Sequence, residues 1–201
     1  MIALYNLKKQ KMNKIALVFI LIFSIQCQSQ TNVIDSKDRC NHSPLNRNDG
    51  SLYTKDISNK YDPFIGVWKW TSGNKEMILT LIKQTKYNLI SGNFNYFEDR
   101  LVGYYIYKEN GVTIIDTSGD DLMKGYGLNV NFDISCSGRV STASFKDIKK
   151  EKYFIVGLEK ISPTQMKFTG KVGEGTYHIG RTPTTVYLGS TFPLEMVFTK
   201  Q

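Results

Sequence analysis

Histidine is scarce in this chain: only His42 and His178 carry an imidazole among 201 residues. A Ser-His-Asp or Cys-His site needs a base that a neighbouring group orients, and no serine lies in a Gly-x-Ser-x-Gly nucleophile elbow. No Cys-x-x-Cys pair occurs, so a zinc ribbon or a redox motif has no support. We therefore expect His178 to be a surface-loop residue, and we assign no catalytic, cofactor-binding or metal-binding residue.

A strongly basic surface is also missing. The formal charge is +8, from 26 Lys and Arg against 18 Asp and Glu, but four of the lysines precede or border an apolar run at the start of the chain. Without them, 22 basic residues face 18 acidic ones, a net charge of +4 that is ordinary for a soluble protein. No run of basic residues is interleaved with aromatics, so the composition gives no argument for nucleic-acid binding.

Two groups of carboxylates are candidates for chemistry. Residues 116–121 place three aspartates in one turn, but the segment lacks the spacing of an EF-hand calcium loop, and we expect a solvated loop. Glu98 and Asp99 form a carboxylate pair that could serve acid–base catalysis, or make a local ion pair with Arg100 at the start of a strand. The ion pair is the favoured interpretation. Gly173–Gly175 lacks the strand–helix context of a phosphate-binding loop and is interpreted as a turn.

The chain begins with the pattern of an export signal. Ile15–Ile25 is an apolar run of eleven residues after four lysines. This is roughly half of the ~20 residues that a membrane-spanning helix needs. A basic segment followed by a short apolar core is typical of a secretion signal, and Met12 is a more ordinary start for it than Met1. We predict that residues 1–27 direct export to the periplasm, the outer membrane or the medium.

The cysteines give two further predictions. Cys27 follows the apolar core where a lipid-acceptor cysteine lies, although Gln26 stands where a small residue is preferred, and cleavage after Ser29 is the alternative. We favour the lipid anchor. Cys40 and Cys136 then remain as a pair in an oxidising compartment, and we expect them to form a disulfide.

The rest of the chain is predicted to form a polar arm followed by a series of β-strands. Residues 28–60 are polar and predict an irregular arm or tether, whereas residues 61–201 show alternating apolar positions separated by turns. Ser72–Lys75 and Asn110-Gly111 are hairpin signals, and Ser162–Thr164 is a further turn. No segment after the leader shows helical periodicity over three turns. The pattern predicts an all-β domain, a single antiparallel barrel of about 8–10 strands.

Phe64-x-Gly66-x-Trp68 at the first strand resembles the Gly-x-Trp signature of lipocalins and fatty-acid-binding proteins, the calycin-like barrels. The resemblance implies that Phe64, Gly66 and Trp68 form a structural plug, with Trp68 closing one end of the barrel. The chain departs from lipocalins because it has no clear helix before its last strand. It departs from fatty-acid-binding proteins because the Ser72–Lys75 turn leaves no room for their two-helix lid.

A broader resemblance extends over residues 62–201. Cys27–Gln30, Asp62–Trp68, Asp99–Tyr105, Glu109–Val112 and Phe198–Gln201 together resemble an uncharacterised family of exported, often lipid-anchored proteins of Bacteroidota, particularly flavobacteria. The resemblance implies a cell-envelope or secreted location and brings no activity.

The aromatic residues leave the function open. A barrel rich in aromatics either has a filled core or lines a cavity for an apolar ligand, and the filled core is favoured. We expect a monomeric, non-enzymatic envelope protein that binds a small apolar ligand or a protein partner. The alternatives are a hydrolytic enzyme that uses Glu98 or Asp99, and a structural or inhibitory module that grips a partner with the loops Asn93–Asp99 and Gly173–Gly189.

Overall fold

A computed structural model of the protein describes residues 32–42, 44–172 and 189–201. These residues form eleven strands and two short 3-10 helices, Ser36–Asn41 and Asp62–Phe64. The strands are β1 (Asn32–Asp35), β2 (Leu52–Lys55), β3 (Gly66–Ser72), β4 (Lys75–Ser91), β5 (Phe94–Glu109), β6 (Val112–Asp116), β7 (Val130–Ile134), β8 (Val140–Asp147), β9 (Lys152–Ser162), β10 (Gln165–Val172) and β11 (Glu195–Lys200). None of the helices in this described part is long and apolar enough to cross a bilayer.

Eight of the strands close into a barrel. Around the ring they follow the order β3, β11, β10, β9, β8, β7, β5 and β4, and β4 pairs with β3 to complete it. Every neighbouring pair in the ring is antiparallel. The predicted all-β antiparallel barrel is confirmed, and its closure is consistent with a calycin-like fold.

The tight turns lie where the sequence predicts them. β3 ends at Ser72 and β4 begins at Lys75, with Gly73 in the left-handed region at φ 58°. Asn110 and Gly111 connect β5 to β6 with φ values of 52° and 76°. Two successive positive φ angles are the requirement of the type I′ hairpin turn, which explains why Asn-Gly marks this position.

Strand β5 is long enough to hold three different partners along one edge. Its first part pairs with β2, its middle with β7 and its last part with β6, while β4 follows its other edge from end to end. The second half of β4 and the first half of β5 therefore extend beyond the ring as a hairpin. β2 pairs in parallel with both β5 and β1, so the sheet outside the barrel is mixed.

Three strands were not predicted, and each has a physical reason. β1 and β2 are four residues each and lie inside the polar arm, where no alternation is visible. β8 shifts its register against β9 between Thr142 and Phe145, which breaks the two-residue period in the sequence.

Aromatic side chains fill the interior of the barrel. Phe145 has no exposed surface and lies at the centre, with its ring 5.1 Å from that of Tyr105, 5.2 Å from Phe168 and 5.8 Å from Phe192. Other buried side chains of the same core are Trp68, Met77, Leu79, Tyr107, Phe132, Phe154 and Phe198. Edge-to-face and offset contacts of this kind add to the free energy of apolar burial. In the described part of the barrel, the core is packed.

Candidate functional site

The Phe-x-Gly-x-Trp segment lies at the end of the barrel where β3 begins. Trp68 is fully buried, and its indole N–H donates to the Phe64 carbonyl oxygen at 2.7 Å. Phe64 is 7% exposed and Gly66 adopts a φ of 124°, a conformation that side-chain-bearing residues rarely take. Trp68 thus packs in the core, and its side chain has no solvent-exposed surface.

The disulfide between Cys40 and Cys136 joins the first 3-10 helix to the turn after β7. Their Cα atoms are 5.7 Å apart and 96 positions separate them in sequence. Closing a loop of that length stabilises the folded state by about 4–5 kcal/mol in the chain-entropy description. The predicted pairing is confirmed, and it is typical of proteins outside the cytoplasm.

Two buried aspartates attach the arm to the barrel. The carboxylate of Asp99 accepts hydrogen bonds from the Tyr53 hydroxyl at 2.7 Å, the Asp56 amide at 2.9 Å and the Lys86 amide at 2.8 Å. Lys86 belongs to a bulge of β4 and has a φ of 53°. Asp99 therefore holds a β-bulge and the arm at once, which is a structural role.

Asp56 makes the second attachment. Its carboxylate accepts the amides of Lys60 at 2.7 Å and Tyr61 at 3.0 Å, and the Lys83 ammonium lies 2.9 Å from it. The same ammonium contacts Asp62 at 2.7 Å. These two hydrogen bonds and the ion pair offset the free energy that is lost when the Asp56 carboxylate is removed from water.

Glu98 faces the opposite side of β5, because successive side chains alternate along a strand. It is half-buried and shares a cluster with Asp133, whose carboxylate accepts hydrogen bonds from Arg39 and from the Tyr61 hydroxyl. Burial raises the pKa of Glu98, and the negative charge of Asp133 raises it further. The sequence treats Glu98 and Asp99 as one pair, but the structure separates them.

Glu98→Gln is expected to stabilise the protein at neutral pH. Because folding raises the pKa of Glu98, its contribution to stability is fully present below the unfolded value of about 4.3 and is lost as the pH rises through the folded value. The amide stays neutral throughout. We expect Tm to rise by roughly 2–4 °C at pH 7.5, the effect of about 1 kcal/mol in a domain of this size, and the difference to vanish near pH 4. Thermal unfolding at both pH values tests this, and a lower Tm at pH 7.5 contradicts it.

The arm and the hairpin extension form a continuous outer surface. The Asn95 amide donates to the Arg47 carbonyl at 2.7 Å, and the Gly50 amide donates to the Asn95 carbonyl at 2.8 Å. These bonds place the Arg47 guanidinium 5.6 Å from the centre of the Tyr96 ring. Phe94 lies edge-on to Tyr96 at 6.4 Å and is 44% exposed.

A groove continues from Arg47 along the arm. It has a volume of about 480 Å³ and is lined by Arg39, Cys40, Pro44, Leu45 and Arg47. We call these groove residues, together with Phe94 and Tyr96, the arm–hairpin surface. Arginine and aromatic side chains are enriched in binding interfaces, and the size of the groove is in the range of binding sites.

The charges on this surface are unequal. Arg39 is paired with Asp133, whereas no carboxylate within the described residues lies within ion-pair distance of Arg47. Arg47 is therefore the cation that a ligand can reach.

The other predicted residues take no part in this surface. His42 is exposed at the end of the first 3-10 helix, and Asp116 and Asp121 cap turns by accepting the amides of Ser118 and Met123. Across residues 32–42, 44–172 and 189–201, no group of three His, Cys, Asp or Glu side chains could hold a metal ion. Cys27, the leader, His178 and the loop residues 173–188 lie outside the described residues.

Sequence reasoning missed the arm–hairpin surface itself. Arg47 lies in a segment predicted to be an irregular tether, and its partner Tyr96 is distant in sequence. The only signal was the presence of Arg39 and Arg47 in an otherwise Asn- and Asp-rich stretch, which does not indicate what they contact.

Comparisons with known proteins concern the whole chain. No curated protein matches it, and no solved structure matches it. A family model does match, over residues 10–201, nearly the full length. The chain therefore belongs to a family of unknown function, DUF6705.

Proposed function

We propose that this protein is an exported, non-enzymatic binding module that recognises a protein partner through the arm–hairpin surface. The observation that carries the proposal is the packing around Phe145, where buried aromatic rings in mutual contact occupy the described part of the barrel interior. Binding of a small apolar molecule in the interior is thereby disfavoured. Recognition then falls to the outside of the barrel.

The chemistry of the surface favours an acidic segment of the partner. The Arg47 guanidinium lies 5.6 Å from the centre of the Tyr96 ring, and the planar guanidinium group binds a carboxylate through two parallel hydrogen bonds. Pro44, Leu45 and Phe94 supply apolar contacts beside it. An aromatic and arginine anchor with an apolar surround is the usual composition of an interface centre.

Export is part of the same proposal. The basic and apolar leader favours it, and the Cys40–Cys136 disulfide agrees with an oxidising compartment. We propose that Cys27 carries a lipid anchor, as in the envelope proteins of Bacteroidota that the sequence resembles. The protein would then face its partner in the periplasm or at the outer membrane.

The alternative of a hydrolytic enzyme relies on Glu98 or Asp99, and the contacts of Asp99 argue against that residue. Both oxygens of Asp99 are occupied by donors of the protein itself, so this group cannot act on a substrate. Glu98 keeps a raised pKa, which is a property of general acids, but its neighbours also explain that value as a charge cluster between the arm and β7.

Site-specific cross-linking in the cells that produce the protein tests the proposal. A photoreactive residue replaces Leu45 in the groove, and in a matched control it replaces Ile155, which is 49% exposed on the outer wall of β9. We expect one discrete cross-linked protein from position 45 and none from position 155. Adding Arg47→Ala is expected to remove the product, while Lys171→Ala, an exposed cation on β10, leaves it. A product that survives Arg47→Ala contradicts the proposal.

A further inference from the structure

Two lysines lie at the end of the barrel where Trp68 is buried, Lys160 half-buried and Lys200 exposed. On β9 the inward positions alternate and end with Lys160, and on β11 they alternate and end with Lys200. The buried residues that precede them on the same faces are Phe154, Val156 and Leu158 on β9, and Met196 and Phe198 on β11. Charged side chains thus follow core residues at the same end of two strands.

Both ammonium groups lie over one aromatic ring. The Lys160 Nζ is 4.3 Å from the centre of the Trp68 ring, and the Lys200 Nζ is 5.4 Å from it. Gly66 makes room for this arrangement, because a Cβ at that position would come within 3.2 Å of the Lys200 Cε. The glycine of the Phe-x-Gly-x-Trp segment thus lies directly beside the Lys200 side chain.

The two positive charges are not balanced by the protein. Neither ammonium lies within 4.0 Å of a carboxylate oxygen in the part of the chain that the structure describes. Lys160 donates one hydrogen bond, to the Pro163 carbonyl oxygen at 3.0 Å. Burial lowers the pKa of Lys160, and the charge of Lys200 lowers it further, so the two groups are near enough to repel each other.

We infer that Lys160 and Lys200 form a binding site for a phosphate-type oxyanion at this end of the barrel. A cation–π contact holds each lysine on Trp68, but it does not neutralise the two neighbouring positive charges. A divalent oxyanion between them would, and lysine is a common phosphate ligand. The buried Trp68 ring forms an apolar wall behind the site. This inference is independent of the arm–hairpin surface.

Inorganic phosphate is the probe, and the two tryptophans provide the readout. The indole N–H resonance of Trp68 is followed by NMR during a phosphate titration at pH 7.5, with sodium chloride keeping the ionic strength constant. We expect a saturable shift of the Trp68 resonance and a much smaller one for Trp70, which lies two residues further along β3. Constant ionic strength removes general screening as a cause.

Matched charge variants decide whether the lysines are responsible. Lys160→Gln with Lys200→Gln is expected to weaken phosphate binding by at least about tenfold. Lys167→Gln with Lys171→Gln removes the same charge from outward-facing positions of β10 and is expected to leave binding unchanged. Lys200→Gln alone changes only an exposed side chain and serves if the double variant fails to fold. A wild-type protein without a saturable Trp68 shift, or equal loss in both double variants, overturns the inference.

A parallel experiment separates free phosphate from a lipid headgroup. Phosphatidylcholine vesicles with and without phosphatidic acid are sedimented with the protein. Binding that requires phosphatidic acid and Lys200 assigns the site to a lipid phosphate. A Trp68 shift with inorganic phosphate but no sedimentation assigns it to a free phosphate compound.

Discussion

Replacing Asp99 with asparagine is expected to lower the free energy of unfolding by about 2–4 kcal/mol, a decrease of roughly 5–15 °C in Tm. The Asp56 amide donates to one oxygen of this carboxylate, and the Tyr53 hydroxyl and Lys86 amide donate to the other. Whichever way the new amide is oriented, its NH₂ group faces a donor. Chemical denaturation of the purified variant measures the loss.

Glu98→Gln is the matched control for this prediction. It makes the same carboxylate-to-amide change one residue earlier, but in a cluster where the negative charge of Asp133 opposes ionisation. The two substitutions are therefore expected to change the free energy of unfolding in opposite directions at pH 7.5. Equal effects would mean that neither the arm attachment nor the charge cluster is as described.

Phe145→Ala is expected to cost about 3–5 kcal/mol, because it removes the central ring of the barrel and leaves a cavity. Phe145 contacts Tyr105, Phe168 and Phe192, and none of these rings can fill the space without leaving its own. The control is Ile155→Ala, an exposed position for which a change within about 0.5 kcal/mol is expected. Denaturant unfolding measures both.

The cavity that Phe145→Ala leaves is also expected to bind a ligand that the wild-type protein does not bind. An apolar cavity of this kind stays dry and binds small aromatics such as benzene. We expect benzene to raise the Tm of the variant but not that of the wild-type protein. A wild-type protein that is stabilised by benzene as strongly as the variant would contradict a filled core.

The barrel was predictable because its signals are local. Alternating apolar residues specify which face of each strand is buried, and Asn110-Gly111 specifies a hairpin turn without reference to the rest of the chain. The Cys40–Cys136 disulfide was predictable from the number of cysteines and the expected compartment. These arguments use neighbouring residues or simple counts.

The features of the candidate site depend on contacts between distant segments. Alternation places Glu98 and Asp99 on opposite faces of β5, but it does not say that the arm covers Asp99 and that β7 brings Asp133 toward Glu98. Likewise, nothing near Arg47 in sequence indicates that Tyr96 lies beneath it. Such sites become visible only when the pairing of β2 with β5 is known.

The Phe-x-Gly-x-Trp segment has one feature that the sequence predicts and one that only the structure reveals. Its resemblance to calycin-like barrels predicts where the domain begins and that Trp68 is structural. It does not predict that Lys160 and Lys200 meet over the ring, because they come from β9 and β11 at the far end of the chain. The same tryptophan is thus a core residue and the wall of the inferred oxyanion site.

Native mass spectrometry of the protein purified from its own cells tests the central claim most directly. A filled barrel that binds a partner on its outer surface predicts no bound apolar molecule, together with a partner complex that Arg47→Ala abolishes and Lys171→Ala preserves. An apolar molecule bound at one per chain, retained in Arg47→Ala, would contradict the account and identify the interior of the barrel as the binding site.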